Sequence, residues 1–137
     1  MSTFSSDSTI TRFTQAVQYL SQNLYTPFVL EAMAEHLHLS RFYLITWFKR
    51  LSGETPHAYF QRLRMEEASC LLCTTESSIR EISEHLNFAS PYHFSSTFKA
   101  YFGICPRAYR GVWQTHPQMN GGKFYEAQIH YPHDHPT

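Results

Sequence analysis

The basic side chains of this chain are grouped in two segments, and grouped positive charge is the pattern that binds phosphate. The whole chain of 137 residues has 11 basic and 11 acidic residues and no net charge. Residues 40–62 and 90–110 each have a net charge of +3, whereas residues 63–89 have a net charge of −3. The basic residues of the two segments are Arg41, Lys49, Arg50, Arg62, Lys99, Arg107 and Arg110. The grouping favours a nucleic-acid partner despite the neutral total.

A cysteine pair and several histidines suggest other chemistry. Cys70 and Cys73 have redox spacing, but a redox pair needs a helix N-terminus to lower the thiol pKa, and this pair falls in the last turn of a predicted helix. Cys105 has no spaced partner for a zinc site. Loop histidines without a preformed site are usually ordinary polar residues. The histidines concerned are His116, His130, His133 and His135. We predict no metal and no cofactor.

Motifs for catalysis and for membrane insertion are missing from the sequence. It has no glycine-rich phosphate loop, metalloprotease motif or nucleophile elbow, so we expect no enzyme activity. It has no apolar run of about eighteen residues, and its first residues lack the features of a secretory signal. Three cysteines do not form an even set of disulfides. We therefore expect a cytoplasmic protein.

One stretch of the chain occurs twice. Residues 40–59 and 90–109 are identical at seven of twenty positions, including the phenylalanine–lysine pair, the glycine and the proline of each copy. Just upstream, LEAMAEHL at residues 30–37 is similar to IREISEHL at residues 79–86. The repeat predicts a duplicated helix-turn-helix unit.

The first copy of the unit is predicted to contain three helices. An apolar face of Ile10, Phe13, Val17 and Leu20 predicts a first helix over about 8–24. Thr26 and Pro27 are typical of the start of a second helix. Ser40 is expected to cap a third helix that ends at Gly53. The residues expected to face inward from this third helix are Leu44, Phe48 and Leu51.

A long helix is predicted between the two copies. It begins at Thr55-Pro56 and runs to about Thr74, which at 1.5 Å per residue is roughly 27 Å. Arg64 lies at the edge of its apolar face, so we expect a carboxylate or carbonyl partner. The second copy opens with a capping box at Ser78 and Glu81. Its remaining signals are a left-handed Asn87, a Ser90-Pro91 cap, inward Phe94, Phe98 and Tyr101, a stop at Gly103 and a short helix from Pro106.

These signals predict an all-α fold of about seven helices, in which a linker helix joins two helix-turn-helix lobes. The predicted boundaries are 8–54 for the N-terminal lobe, 55–74 for the linker, 75–110 for the C-terminal lobe and 111–137 for an irregular, flexible or loosely docked tail. Tyr125, Ala127, Ile129 and Tyr131 alternate with polar residues in this tail, as in a strand.

The residues quoted above resemble the DNA-binding domain of the AraC/XylS transcription regulators. Ser40, Leu44, Phe48-Lys49, Gly53 and Pro56 are similar to its first half, and Arg64, Ala68, Leu71 and Leu72 are similar to its connecting helix. The stretch from Asn87 to Arg110 is similar to its signature region. The resemblance covers about residues 8–110. It implies a bacterial regulator of transcription, usually an activator that contacts RNA polymerase, binding duplex DNA as a monomer.

The resemblance also implies which residues face DNA. The implied base-facing residues are Arg41, Phe42, Ile45, Thr46, Pro91, Tyr92, Ser95 and Ser96. The implied phosphate-binding residues are Lys49, Arg50, Lys99, Arg107 and Arg110. Positions 46 and 96 are commonly Arg in the family, whereas here they are Thr and Ser. The operator is then AT-rich and recognised through apolar contacts and shape, or DNA binding is weak.

Three functions remain in competition. We expect a stand-alone, sequence-specific DNA-binding regulator or a fragment of a longer one, because the chain has no room for a separate sensing domain. The alternative is a diverged modulator that binds other proteins of transcription with little DNA affinity, which the neutral charge and the two missing arginines favour. A redox or metal sensor is a more distant third.

Overall fold

The computed structural model describes residues 2–115, and within them the side chains of residues 8–114. This part of the chain contains seven α-helices and no strand, which confirms the all-α prediction. The helices are α1 (Ser2–Gln22), α2 (Leu30–Leu37), α3 (Arg41–Ser52), α4 (Pro56–Thr74), α5 (Ile79–His85), α6 (Pro91–Phe102) and α7 (Pro106–Thr115). The chain divides into two compact units between Leu63 and Arg64, within α4. We call them the N-terminal lobe and the C-terminal lobe.

Local sequence signals set the ends of the helices that follow each turn. The Oγ of Ser40 accepts a hydrogen bond from the backbone N–H of Tyr43 (3.1 Å), and the Oγ of Ser90 accepts one from that of His93 (3.0 Å). Both α3 and α6 end at a glycine with a left-handed backbone, at φ 86° in Gly53 and 84° in Gly103. These starts and stops confirm the predicted caps, since only glycine adopts this conformation without cost.

Several other predicted helix ends are confirmed, although α1 begins at Ser2 and ends at Gln22 where the sequence predicted about 8–24. Helix α4 begins at Pro56, and the Oγ1 of Thr55 accepts from the backbone N–H of Ala58 (3.2 Å). Helix α5 has the full capping box, with Ser78 and Glu81 each bonded to the other's backbone. Asn87 is left-handed, with φ 65°. Local hydrogen bonds therefore suffice to define these ends.

The predicted start of the second helix at Thr26 is wrong. Helix α2 begins at Leu30, and Val29 at its cap position makes no side-chain hydrogen bond. Thr26 instead completes the turn that follows α1, because its Oγ1 donates to the carbonyl of Asn23 (3.1 Å) and its backbone N–H donates to the same oxygen. The Thr26 hydroxyl thus belongs to the turn at the end of α1, and α2 begins four residues further on, at Leu30.

Two separate clusters of buried side chains form the cores of the lobes. In the N-terminal lobe, α1, α2, α3 and the start of α4 contribute Ala16, Leu20, Met33, Leu44, Phe48 and Phe60, among others. In the C-terminal lobe, α4 to α7 contribute Met65, Ala68, Leu72, Ile82, Phe94, Phe98 and Tyr109, among others. The two cores use the same contact. The rings of Phe48 and Tyr59 meet edge to face at 5.3 Å, as do those of Phe98 and Tyr109.

Two residues predicted to face inward do not. Ile10 is 64% exposed and Leu51 is 44% exposed. Ile10 lies about 80° around the helix from Leu20 and about 120° from Ala16, which are both fully buried, so it falls outside the packed face. In α3 the inward face is filled by Leu44, Phe48 and Trp47, and Trp47 was not predicted.

In each helix-turn-helix unit, an arginine from the preceding helix caps the C-terminal end of the first helix of the unit, which is α2 in one lobe and α5 in the other. The Nη2 of Arg12 donates to the carbonyl of Leu37 (2.6 Å), and the Nη2 of Arg64 donates to that of Leu86. Both carbonyls lie at a helix C-terminus, where they have no partner within the helix and where positive charge is favourable. The carbonyl partner predicted for Arg64 is thus confirmed. Burial lowers the pKa of Arg64 from its ordinary value, yet arginine remains charged.

The same three residue types precede both units. Arginine, alanine and leucine follow one another at four-residue intervals as Arg12, Ala16 and Leu20, and again as Arg64, Ala68 and Leu72. Helix α1 therefore supplies the capping arginine and core side chains of the N-terminal lobe, as α4 does for the C-terminal lobe. The duplication extends further upstream than the two repeated stretches of sequence indicated.

We predict that Arg12→Met and Arg64→Met each lower the free energy of unfolding by about 1.5–3 kcal/mol, because each removes a charged donor from a helix-end carbonyl. Urea unfolding followed by circular dichroism measures the change. The matched control is Arg80→Met, whose exposed ion pair with Glu84 (3.3 Å) is expected to contribute less than about 1 kcal/mol. Equal losses in all three variants would contradict the capping role.

Candidate nucleic-acid interface

Helix α3 presents one face to the core of its lobe and the opposite face to solvent. Leu44, Trp47 and Phe48 are buried. Of the four residues predicted to face bases, Phe42 is 79% exposed, the side chain of Arg41 is 63% exposed, Thr46 is exposed and Ile45 is partly buried. All four belong to the first turn and a half of α3, so the structure brings them together on the outer side of one short helix segment.

Helix α6 repeats this arrangement in the C-terminal lobe. Tyr92, at the position that matches Phe42, is 82% exposed, and Ser96 is also exposed. Pro91 and Ser95 are partly buried. A large aromatic side chain with four-fifths of its surface in solvent buries little apolar area in its own lobe. Its occurrence at matching positions of both helices marks a surface suited to contact another molecule.

The hydroxyl of Thr46 is already used within its helix. Its Oγ1 donates to the carbonyl oxygens of Phe42 (3.1 Å) and Tyr43 (3.2 Å). Because a hydroxyl has a single hydrogen, Thr46 offers an external ligand only its lone pairs unless it rotates. It therefore supplies less recognition than an arginine at this position, which donates two parallel hydrogen bonds.

Four of the five residues predicted to bind phosphate lie on the surface. Lys49, Arg50, Lys99 and Arg107 are exposed. Each flexible cation is therefore able to reach a phosphate without unfolding any part of its lobe.

Arg110, the fifth, is engaged inside the C-terminal lobe. Its Nε donates to the carbonyl of Leu72 (3.0 Å) and its Nη2 to that of Thr75 (3.2 Å). Both oxygens lie at the C-terminal end of α4, where carbonyls need external donors. The structure thus gives Arg110 a role in closing a helix, and the spacing of basic residues in the sequence did not distinguish this role from phosphate binding.

Two acidic residues that the sequence analysis did not single out form ion pairs with arginine side chains. Glu31 on α2 accepts from the Nη1 of Arg41 (2.9 Å). Glu54 accepts from the Nε and Nη2 of Arg62 (3.1 and 2.9 Å), and the guanidinium of Arg62 also lies 4.6 Å from the ring centroid of Tyr59. Arg62 is thus part of the lobe, although its charge contributes to the basic segment.

Cys73 does not have the environment of a redox-active thiol. Burial, with a further contribution from the neighbouring Cys70, raises the pKa of Cys73 to about 11. Its thiol is therefore protonated at neutral pH, whereas a redox pair needs a thiolate. Cys70, Cys73 and Cys105 are all free thiols.

Metal and membrane sites are not found in the part of the chain that the structure describes. No three histidine, cysteine or acidic side chains among these residues are grouped to hold a metal ion. The histidines at 116, 130, 133 and 135 and the alternating pattern at 125–131 lie outside the described residues. No helix of residues 2–115 is long and apolar enough to cross a membrane.

Sequence comparison identifies relatives among bacterial regulators. Residues 33–111 match a family described as "Helix-turn-helix domain". The HTH-type transcriptional regulator ArgR of Pseudomonas aeruginosa is 33% identical over 116 residues, which are 85% of this chain and 33% of ArgR. The raffinose operon regulatory protein RafR of Pediococcus pentosaceus is 34% identical over 99 residues, which are 72% of this chain and 36% of RafR. The chain thus spans about a third of the length of these relatives.

Structural comparison gives the same family. The DNA-binding domain of AdpA, solved in complex with a target DNA, is similar with a TM-score of 0.72 and 27% identity, over 77% of this chain and 96% of that domain. A regulator from Chromobacterium violaceum, described as having an AraC-type DNA-binding domain, is similar with a TM-score of 0.72 and 33% identity, over 77% and 94% of the two chains. This chain belongs to the AraC-type helix-turn-helix family of DNA-binding transcriptional regulators.

Proposed function

We propose that this chain binds duplex DNA sequence-specifically by placing α3 and α6 in two adjacent segments of the major groove. In a helix-turn-helix the second helix enters the major groove, and groove faces on one side of DNA recur every ~34 Å. The observation that carries the proposal is the matched exposure of Phe42 and Tyr92 on the outer faces of the two second helices. The presence of both units in one chain supports binding as a monomer.

Base recognition is assigned to the outer residues of the two helices. These are Arg41, Phe42, Ile45 and Thr46 of α3, and Pro91, Tyr92, Ser95 and Ser96 of α6. An aromatic or branched side chain packs well against the methyl group of thymine, whereas serine and threonine each make one short contact to either base type. The chemistry of this set therefore favours an AT-rich operator recognised through apolar contact and DNA shape.

Phosphate contacts are assigned to the four exposed cations Lys49, Arg50, Lys99 and Arg107. Phosphate contacts hold the protein in position on the duplex and carry no sequence information. Arg110 is omitted from this set because its guanidinium already bonds to α4 carbonyls.

The proposal includes a regulatory outcome, activation of transcription through contact with RNA polymerase, which in vitro transcription from a selected operator tests directly.

We predict a steep loss of DNA affinity with salt. Four to six neutralised phosphates give a slope of log affinity against log salt of about −4 to −5, or about two to three decades between 50 and 200 mM. Fluorescence anisotropy on a duplex obtained by random-oligonucleotide selection measures it. A flat response would refute DNA binding and favour the rival function, a protein-binding modulator of transcription, which is consistent with the zero net charge.

The proposal distinguishes residues that position the protein on the DNA phosphates from residues that recognise bases. Lys49→Ala and Lys99→Ala should weaken binding to selected and random duplexes by the same factor, because phosphates are the same in both. Phe42→Ala and Tyr92→Ala should reduce discrimination at particular base pairs by about 1–3 kcal/mol each. Each lobe supplies one variant of each kind, so the lobes serve as mutual controls. Equal losses on both duplexes for all four variants would show that the aromatic residues do not read bases.

Introducing arginine at positions 46 and 96 should increase the affinity for DNA without destabilising the fold. Thr46→Arg and Ser96→Arg are predicted to change stability by less than about 0.5 kcal/mol, since both side chains are exposed. Both should tighten binding to random DNA, and each should create a preference for guanine at one position. The control Thr46→Lys adds the same charge without the rigid, planar pair of donors of arginine, so it should tighten random binding with a weaker guanine preference than Thr46→Arg. Thermal unfolding and a base-substitution series measure the two effects, and a strongly lowered melting temperature would contradict the assigned face.

A further inference from the structure

The N-terminal lobe contains an ion pair between the first helix of its helix-turn-helix and the second. Arg41 is the first residue of α3, and its Nη1 lies 2.9 Å from the Oε2 of Glu31 on α2. Both side chains are 63% exposed, so the pair lies at the surface beside Phe42. A carboxylate at this place repels DNA, and it pairs with the one arginine among the four proposed base-facing residues of α3.

The C-terminal lobe has different residues at the matching positions. Arg80 corresponds to Glu31, and Pro91 corresponds to Arg41. Arg80 pairs with Glu84 one turn along its own helix and makes no ion pair with α6 among the described residues. The pairing of a recognition-helix cation with a carboxylate of the preceding helix is therefore a feature of the N-terminal lobe and not of the shared scaffold.

We propose that Glu31 competes with DNA for Arg41 and thereby sets the affinity and selectivity of the N-terminal lobe. The inference rests on the proposed function, since it requires α3 to enter the groove. In the free protein the guanidinium is held by the carboxylate. On the duplex it exchanges this partner for an acceptor of the DNA, either a phosphate oxygen or the O6 and N7 atoms of guanine. Glu31 touches no DNA atom in this exchange and acts through Arg41.

The expected effect is small but measurable. Exposed ion pairs contribute little to stability, so abolishing this one should release about a two- to fivefold gain in DNA affinity. Glu31→Gln keeps the size of the side chain and removes its charge. The gain should disappear in the double variant Glu31→Gln/Arg41→Gln relative to Arg41→Gln alone, because the carboxylate then has no arginine to withhold.

The matched control is Glu35→Gln, which removes an exposed carboxylate one turn along the same helix. If Glu31 acted only through its charge, Glu35→Gln would give a similar gain, and the gain from Glu31→Gln would persist without Arg41. Either result would overturn the proposal. So would weaker DNA binding by Glu31→Gln, which would show that the ion pair orients Arg41 for DNA and does not withhold it.

The experiment is an anisotropy titration of the full chain and these variants against a selected duplex and a random duplex, over a series of salt concentrations. A steeper salt slope on both duplexes identifies phosphate as the new partner of Arg41. A gain limited to the selected duplex, and lost when one guanine is replaced by 7-deazaguanine, identifies a base. Absence of salt-dependent binding by the unmodified chain would refute the proposed function itself, whereas normal binding with no gain in Glu31→Gln refutes only this inference.

Discussion

The edge-to-face contact between a recognition-helix phenylalanine and the tyrosine of the next helix fixes which way each recognition helix faces. Phe48 meets Tyr59 and Phe98 meets Tyr109, in each case with ring centroids 5.3 Å apart. Rotating either helix would break this contact and expose a fully buried ring, because Phe48 and Phe98 are both 0% exposed. The outer residues are therefore determined by the inner ones. Phe42 and Tyr92 remain in solvent since the opposite face is committed to the core.

Internal partners account for much of the positive charge. Among residues 8–114, six of the ten basic side chains bond to carboxylates or helix-end carbonyls of the protein: Arg12, Arg41, Arg62, Arg64, Arg80 and Arg110. Helix ends and ion pairs thus compete with phosphate for the same residues. The charge available at the surface is less than the two basic segments suggest, but it is concentrated on α3, α6 and the start of α7. This concentration reconciles a neutral chain with a nucleic-acid partner.

The sequence predicts the parts of this fold that depend on local chemistry. Ser40, Ser90, Gly53 and Gly103 act within one turn of the chain, so their roles as caps and stops follow from residue type and spacing. The start of α2 was missed because Thr26 and Pro27 have the residue types of a helix start, whereas Thr26 bonds back to the carbonyl of Asn23 in the turn after α1. The carbonyl partners of Arg110 lie 35 and 38 residues away, which no local pattern reveals. The resemblance to the family supplied the expected base-facing positions, and exposure on the outer faces agrees with them without testing contact with DNA.

Duplication has preserved the scaffold of the two lobes more closely than their outer chemistry. The arginine–carbonyl contacts, the serine caps, the glycine stops and the aromatic pairs occur in both lobes, because each is required to build the unit. At the outer positions the lobes diverge, with Arg41 against Pro91 and Glu31 against Arg80. Two lobes with identical outer residues would read the same short sequence twice. Core positions have changed as well, with Leu44 against Phe94 and Trp47 against Thr97, so each lobe keeps the shared contacts around a core of its own composition. Under the proposed function, the different outer residues of the two lobes would allow one chain to recognise two different half-sites.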